Sequence, residues 1–178
     1  MPRYVKQRDS YSCGPTALLN ALKWAGKDVS YKDMPRLKAV CHTEYTPGYA
    51  LGTWPTKMSS ALRYEGKEWF SCKHLINPKF RIIDKHLKDD GSIIMSYFWK
   101  LSPEYKRFWD WGWKYVGHYI FIDHVSESGK TFRVVNMFCN GSAHTNIRRQ
   151  TLLRKCFRYR NLKDRHHNLS VWLLNKWA

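Results

Sequence analysis

The chain has 178 residues, 43% hydrophobic and 16% aromatic, with 31 Lys and Arg against 14 Asp and Glu for a formal charge of +17. That length suits one domain with a true core, and the charge attracts acidic partners such as nucleic acid, an anionic envelope surface or an acidic protein. Five scattered cysteines, an odd number, exclude a disulfide framework and point to a reducing compartment. No apolar h-region follows Met1, and the most apolar stretch, Ile93 to Trp99, is too short to span a bilayer, so a cytoplasmic location is expected.

The first element is a helix beginning directly after Cys13. Pro15 suits its first turn, Leu18, Ala21, Leu22 and Ala25 form an apolar stripe, and Gly26 is its stop. Ser30 and Asp33 have the spacing of a capping box for a short helix toward Ala39. Residues Cys41 to Gly52, with Pro47, Gly48 and Gly52, read as loop. Thr53 to Tyr64 reads as a helix with Met58, Ala61 and Leu62 inward and Gly66 at its end. Glu68 to Cys72 is a short strand, and Pro78 to Leu87 a helix facing inward with Phe80, Ile83 and Leu87. Asp90-Gly91 turns the chain into a buried strand from Ser92 to Phe98. Gly117 to Val125 and Thr131 to Phe138 form a hairpin through the Ser126-Glu127-Ser128-Gly129 turn. The chain closes with an apolar segment from Leu169 to Trp177. Helices first and an antiparallel sheet later make the class α+β, with N-terminal helices packed on the sheet.

Cys13 stands at the start of the first helix, in Gln7-Arg8-Asp9-Ser10-Tyr11-Ser12-Cys13-Gly14-Pro15. A thiol there faces unpaired N–H groups and the positive end of the helix dipole, which favour the reactive thiolate. Gln7, six residues upstream, supplies an amide donor beside the same sulfur. A cysteine nucleophile needs a base and a group that orients it. His118 opens an apolar strand, and a turn centred on Glu127 and Ser128 sets it opposite residues 136 to 138. Asn136 then lies on its face, within side-chain reach, and an amide among Phe132, Val134 and Phe138 needs a hydrogen-bond partner. The imidazole is the expected one. His124 sits at the turn end, Asp123 points to the opposite face, and His166 and His167 lie in a polar segment.

Gln7 with Cys13-Gly14-Pro15, Gly117-His118-Tyr119 on one strand and Val134-Val135-Asn136 on the next resemble the papain-like cysteine peptidases, specifically the C39 and C39-like peptidases. The block Leu87 to Ile94 resembles the helix-to-strand step that those domains place before the histidine strand. The resemblance covers about residues 4 to 140 and implies a papain-like, C39-like fold. It also implies a cysteine peptidase or amide hydrolase acting on a peptide or protein, without a cofactor or a metal. Cys13 would attack as a thiolate paired with protonated His118, its pKa drawn from about 8.5 toward about 4. Asn136 would orient the ring, and Gln7 and the Cys13 N–H would hold the oxyanion. C39 enzymes usually carry Asp where Asn136 stands; papain itself has Asn.

Two regions fall outside that pattern. Residues 99–115 form a Trp-rich insertion, read as a hydrophobic flap on the sheet edge or as a wall that grips an extended substrate. Residues 141–178 form a basic extension, in which Arg148, Arg149, Arg154, Lys155, Arg158 and Arg160 are candidates for binding nucleic acid or an acidic protein. The whole, 1–178, reads as a single domain with its catalytic core at 4–140. Competing functions are a cell-wall peptide amidase and a non-catalytic basic binding module on the same fold. The leaderless, basic, Trp-rich style matches a phage- or virus-encoded protein working in a host cytoplasm.

Overall fold

Helix α1 spans Cys13–Ala25 and stops where Gly26, at φ 103, takes the left-handed turn that a side chain resists. Most of its residues are buried, not one stripe alone, because it is covered by helices on one side and a sheet on the other. The structure, a computed structural model, describes residues 2–46, 49–100, 115–136, 144–156 and 169–177. After α1 a 3-10 turn, Tyr31–Asp33, leads into α2, Met34–Val40. The expected capping box is present, with the Ser30 N–H donating to Asp33 at 2.9 Å. Helix α3, Pro55–Gly66, buries Met58, Ala61 and Leu62 as its periodicity predicts. Gly66 serves packing here: a Cβ on it would stand 2.2 Å from the Phe70 ring.

The segment read as loop between Cys41 and Gly52 instead holds a two-stranded antiparallel sheet, β1 (Glu44–Thr46) and β2 (Tyr49–Gly52). Its strands are too short to show an alternation. The main sheet has six antiparallel strands in the order β3-β8-β4-β5-β6-β7. These are β3 (Phe70–Ile76), β4 (Ser92–Lys100), β5 (Tyr115–Val125), β6 (Thr131–Val135), β7 (His144–Arg148) and β8 (Ser170–Lys176). Two more helices, α4 (Phe80–Lys88) and α5 (Arg149–Cys156), complete the described residues.

The core therefore does not close near residue 140. Strand β8 lies between β3 and β4, pairing Leu174 with Cys72 on one side and Leu173 with Ile93 on the other. The closing apolar segment is thus an interior strand, buried from Ser170 to Leu174, and 141–178 is more than an extension. Residues 101–114, which hold most of the Trp-rich insertion, lie outside the described residues, as do Arg158 and Arg160.

Alternation along the strands divides the core in two. Tyr119, Phe121, Val135, Ile94, Trp172 and Leu174 face α1, α2 and α3. Ile120, Ile122, Val134, Ile93, Met95 and Leu173 face the other way, toward α4 and α5. No helix among the described residues is long and apolar enough to cross a membrane.

Candidate active site

The N-terminal segment is tied down before it reaches Cys13. Asn20, a buried amide in the middle of α1, accepts from the Val5 N–H and donates to the Val5 carbonyl, both at 2.8 Å. One residue upstream the Tyr4 hydroxyl donates to Asp123, whose carboxylate also takes two hydrogen bonds from Arg133 at 2.7 and 2.6 Å. Asp123 thus serves the anchoring of the N-terminal segment on the α1 side. These contacts carry the chain along the sheet and deliver Gln7, 2% exposed, to the end of β6.

Strand β6 stops at Val135, and Asn136 turns away at φ 62. Asparagine is one of the few residues that tolerates this left-handed conformation. Its side chain does not reach the imidazole, the partner expected for it. The Asn136 amide donates instead to Gln7 Oε1 at 2.9 Å, while the Gln7 N–H donates to Asn136 Oδ1 at 3.4 Å. What faces His118 is the backbone carbonyl of Asn136, 2.7 Å from Nε2. The register explains this. Phe121 pairs with Val135, so Asn136 falls two residues short of the position opposite His118, and its new backbone direction aims the carbonyl, not the amide, at the ring.

His118 is 1% exposed and lies edge-to-face on Tyr97, its partner across β4 and β5, with centroids 5.9 Å apart. Burial, partly offset by the hydrogen bond to Asn136, pushes its pKa down to about 4. That burial favours the neutral ring, because a charged one would lose its hydration in this interior. A carbonyl only accepts, so Nε2 carries the proton and Nδ1 carries the lone pair. Tyr97 belongs to the α4 and α5 side of the core and Cys13 to the α1 side, and His118 stands where hydrogen bonds run through Asn136 to Gln7 at the end of β6.

Cys13 opens α1 and is 7% exposed. Next to it Gly14 has no room for a side chain, because a Cβ would stand 2.6 Å from Thr53 Oγ1. That close approach brings the end of the β1–β2 hairpin against the cysteine loop. Asp9, which the sequence reading passed over, shapes the loop. Its Oδ1 accepts from the Ser12 N–H at 2.7 Å and the Tyr11 N–H at 3.0 Å, an Asx turn. Its carbonyl accepts from Gln7 Nε2 at 2.5 Å. Lys38, from α2, donates to Asp9 Oδ2 at 2.7 Å and to the Tyr11 hydroxyl at 3.1 Å. A continuous run of hydrogen bonds thus leads from the imidazole through Asn136, Gln7 and Asp9 to the residue before Cys13. The signal for Asp9 was present in the sequence as an Asp three residues before Ser12, the residue ahead of the helix. That for Lys38 was not.

The other sequence candidates are dispersed. His124 is exposed at the far end of β5, and His166 and His167 lie outside the described residues. Arg148 and Arg154 are exposed. Arg149 is engaged by Asp84 at 3.0 Å and by the Phe80 ring at 4.6 Å. The side chain of Lys155 lies outside what is described.

The backbone fold matches solved peptidase domains. The peptidase domain of Streptococcus ComA, a bi-functional ABC transporter involved in a quorum sensing pathway, aligns with a TM-score of 0.63 at 14% identity, covering 97% of this chain and 98% of that one. A putative C39-like peptidase from Bacillus anthracis gives 0.61 at 10% identity, with 98% and 96% covered. A double glycine motif protease from an AMS/PCAT transporter, in complex with the leader peptide, gives 0.57 at 12% identity, with 98% and 91% covered. Among curated proteins none matches by sequence. The profile of the Peptidase_C39 like family matches residues 2–165. The chain belongs to the Peptidase_C39 like family.

Proposed function

We propose that the protein is a cysteine peptidase that cleaves an amide bond in a peptide or protein, with Cys13 as nucleophile and His118 as general base. The observation that carries this reading is the hydrogen-bonded run that ties His118 to the loop presenting Cys13. Nδ1 of the neutral ring takes the thiol proton as sulfur attacks the carbonyl carbon, so the ion pair forms during the reaction and not before it. Asn136 holds the tautomer through its carbonyl, a positioning role that papain-like enzymes assign to a side chain. Gln7 keeps one amide proton on Asp9 and turns the other toward the oxyanion, beside the Cys13 N–H. One such donor is worth about 3 kcal/mol in the transition state. The imidazolium then protonates the leaving amine, and water hydrolyses the thioester. The AMS/PCAT protease was solved with its leader peptide, which supports a peptide as the substrate class here.

The test is a peptidyl fluoromethyl ketone probe read by mass spectrometry. Labelling at Cys13 in the native chain, abolished by H118A with the fold intact, is the expected result. Labelling that ignores His118, or that falls on Cys41, Cys72, Cys139 or Cys156 instead, contradicts it.

A further inference from the structure

The charges around the cysteine loop pose a problem that the fold answers. Asp9 is hydrogen-bonded to the residue before Cys13, and a carboxylate so close disfavours a thiolate. The same carboxylate is what holds the loop, through the N–H groups of Tyr11 and Ser12. Lys38 resolves the conflict. It reaches out of α2 to within 2.7 Å of Asp9 Oδ2, and its ammonium lies 4.3 Å from the centroid of the Tyr11 ring. The two side chains are 24% and 25% exposed, half-shielded from water.

We infer that Asp9 and Lys38 are positioning residues for the proposed nucleophile, an ion pair that fixes the Cys13 loop and in which the ammonium offsets the charge that the carboxylate brings to the thiol. This deepens the cysteine-peptidase reading and rests on it. The pair acts through the loop and touches no reacting atom. Burial raises the Asp9 carboxyl, but the hydrogen bonds from Lys38, Ser12 and Tyr11 outweigh it and hold the pKa below the usual range. The pair therefore stays intact through the neutral range and opens only in acid.

Two substitutions separate electrostatics from scaffolding. K38M leaves the carboxylate unpaired and disfavours the thiolate. D9N keeps an oxygen for the Ser12 and Tyr11 N–H groups but removes the negative charge, favouring the thiolate. The measurement is the rate of iodoacetamide alkylation at Cys13 from pH 5 to 9, resolved by mass spectrometry, with the melting temperature of each variant as control. The expected result is opposite movement at pH 6: K38M slower and D9N faster, each by about three- to tenfold, as negative charge on sulfur is disfavoured or favoured. A loss in both variants would mean a scaffold only and overturn the electrostatic role. Unchanged rates in both would overturn the inference altogether. If the native chain itself alkylates like an ordinary free thiol, the peptidase reading fails first and takes this one with it.

Discussion

The two ends of the β5–β6 hairpin handle polar groups in opposite ways. At the end that holds His118 and Asn136, each side chain is about 1% exposed, and the hydrogen bonds that join His118, Asn136 and Gln7 link buried groups. At the turn end, Asp84 on α4 is gripped by Lys88 at 3.2 Å and Arg149 at 3.0 Å, with the two cations 50% and 37% exposed. Ion pairs of the second kind are screened and contribute between about 0 and 1 kcal/mol. Buried hydrogen bonds of the first kind cost more to break, because the partner left behind loses its hydration as well. The contrast separates a buried hydrogen-bonded end of the hairpin from a solvated, ion-paired one.

The sharpest way to break the comparison is at Cys13 and His118. C13A is expected to abolish hydrolysis, and H118A to lower kcat by about three orders of magnitude or more, measured on any peptide that the native protein cleaves. A residual rate within tenfold of native in either variant would sink the assignment.

The pH profile is next. His118 is pushed down to about 4 in the folded chain, below the ordinary value near 6.5. Between those values the unfolded chain binds more protons at this site than the folded one. The stability is fully present above about pH 6.5 and is lost as pH falls toward 4, by up to about 3 kcal/mol. Urea denaturation of native and H118Q chains across this window tests it, since the acid-dependent loss should shrink in the variant. An identical pH dependence in both would contradict the burial argument.

N136D offers a finer cut. A carboxylate beside Gln7 Oε1 would repel it and force the Gln7 amide to turn round, breaking its bond to the Asp9 carbonyl. A fall in kcat of about tenfold is expected, with the pH limb of His118 moved upward because the new carboxylate favours the protonated ring. Unaltered kcat would show that Gln7 has no part in the chemistry. The smallest effect belongs to the turn end: K88M and R149M should each change stability by less than about 1 kcal/mol and leave hydrolysis as it was. A tenfold loss of activity from either would erase the distinction between the two ends.

What the sequence made legible was local. Pro15, the apolar stripe and Gly26 were enough to place α1 and set Cys13 at its tip, and the Ser126–Gly129 turn was enough to bring His118 toward Asn136. The resemblance to C39 peptidases, carried by Gln7, Cys13, His118 and Asn136, led to the right family. Two things were not legible. The placing of β8 between β3 and β4 depends on pairing across some hundred residues, which no local pattern encodes. The role of Asn136 depended on its backbone leaving the strand at φ 62, a change that swaps carbonyl for amide and that strand alternation, by construction, does not contain.

One measurement reaches the centre of the account: the rate of Cys13 alkylation as a function of pH in the native chain and in H118A. A thiol served by a buried neutral imidazole should keep a flat rate from about pH 8 down to about pH 4 and fall only when that ring protonates, while H118A should lose about tenfold per pH unit below about 8.5. If the two curves coincide, the sulfur and the imidazole do not act together, and what remains is a strongly basic C39-like fold without its proposed chemistry.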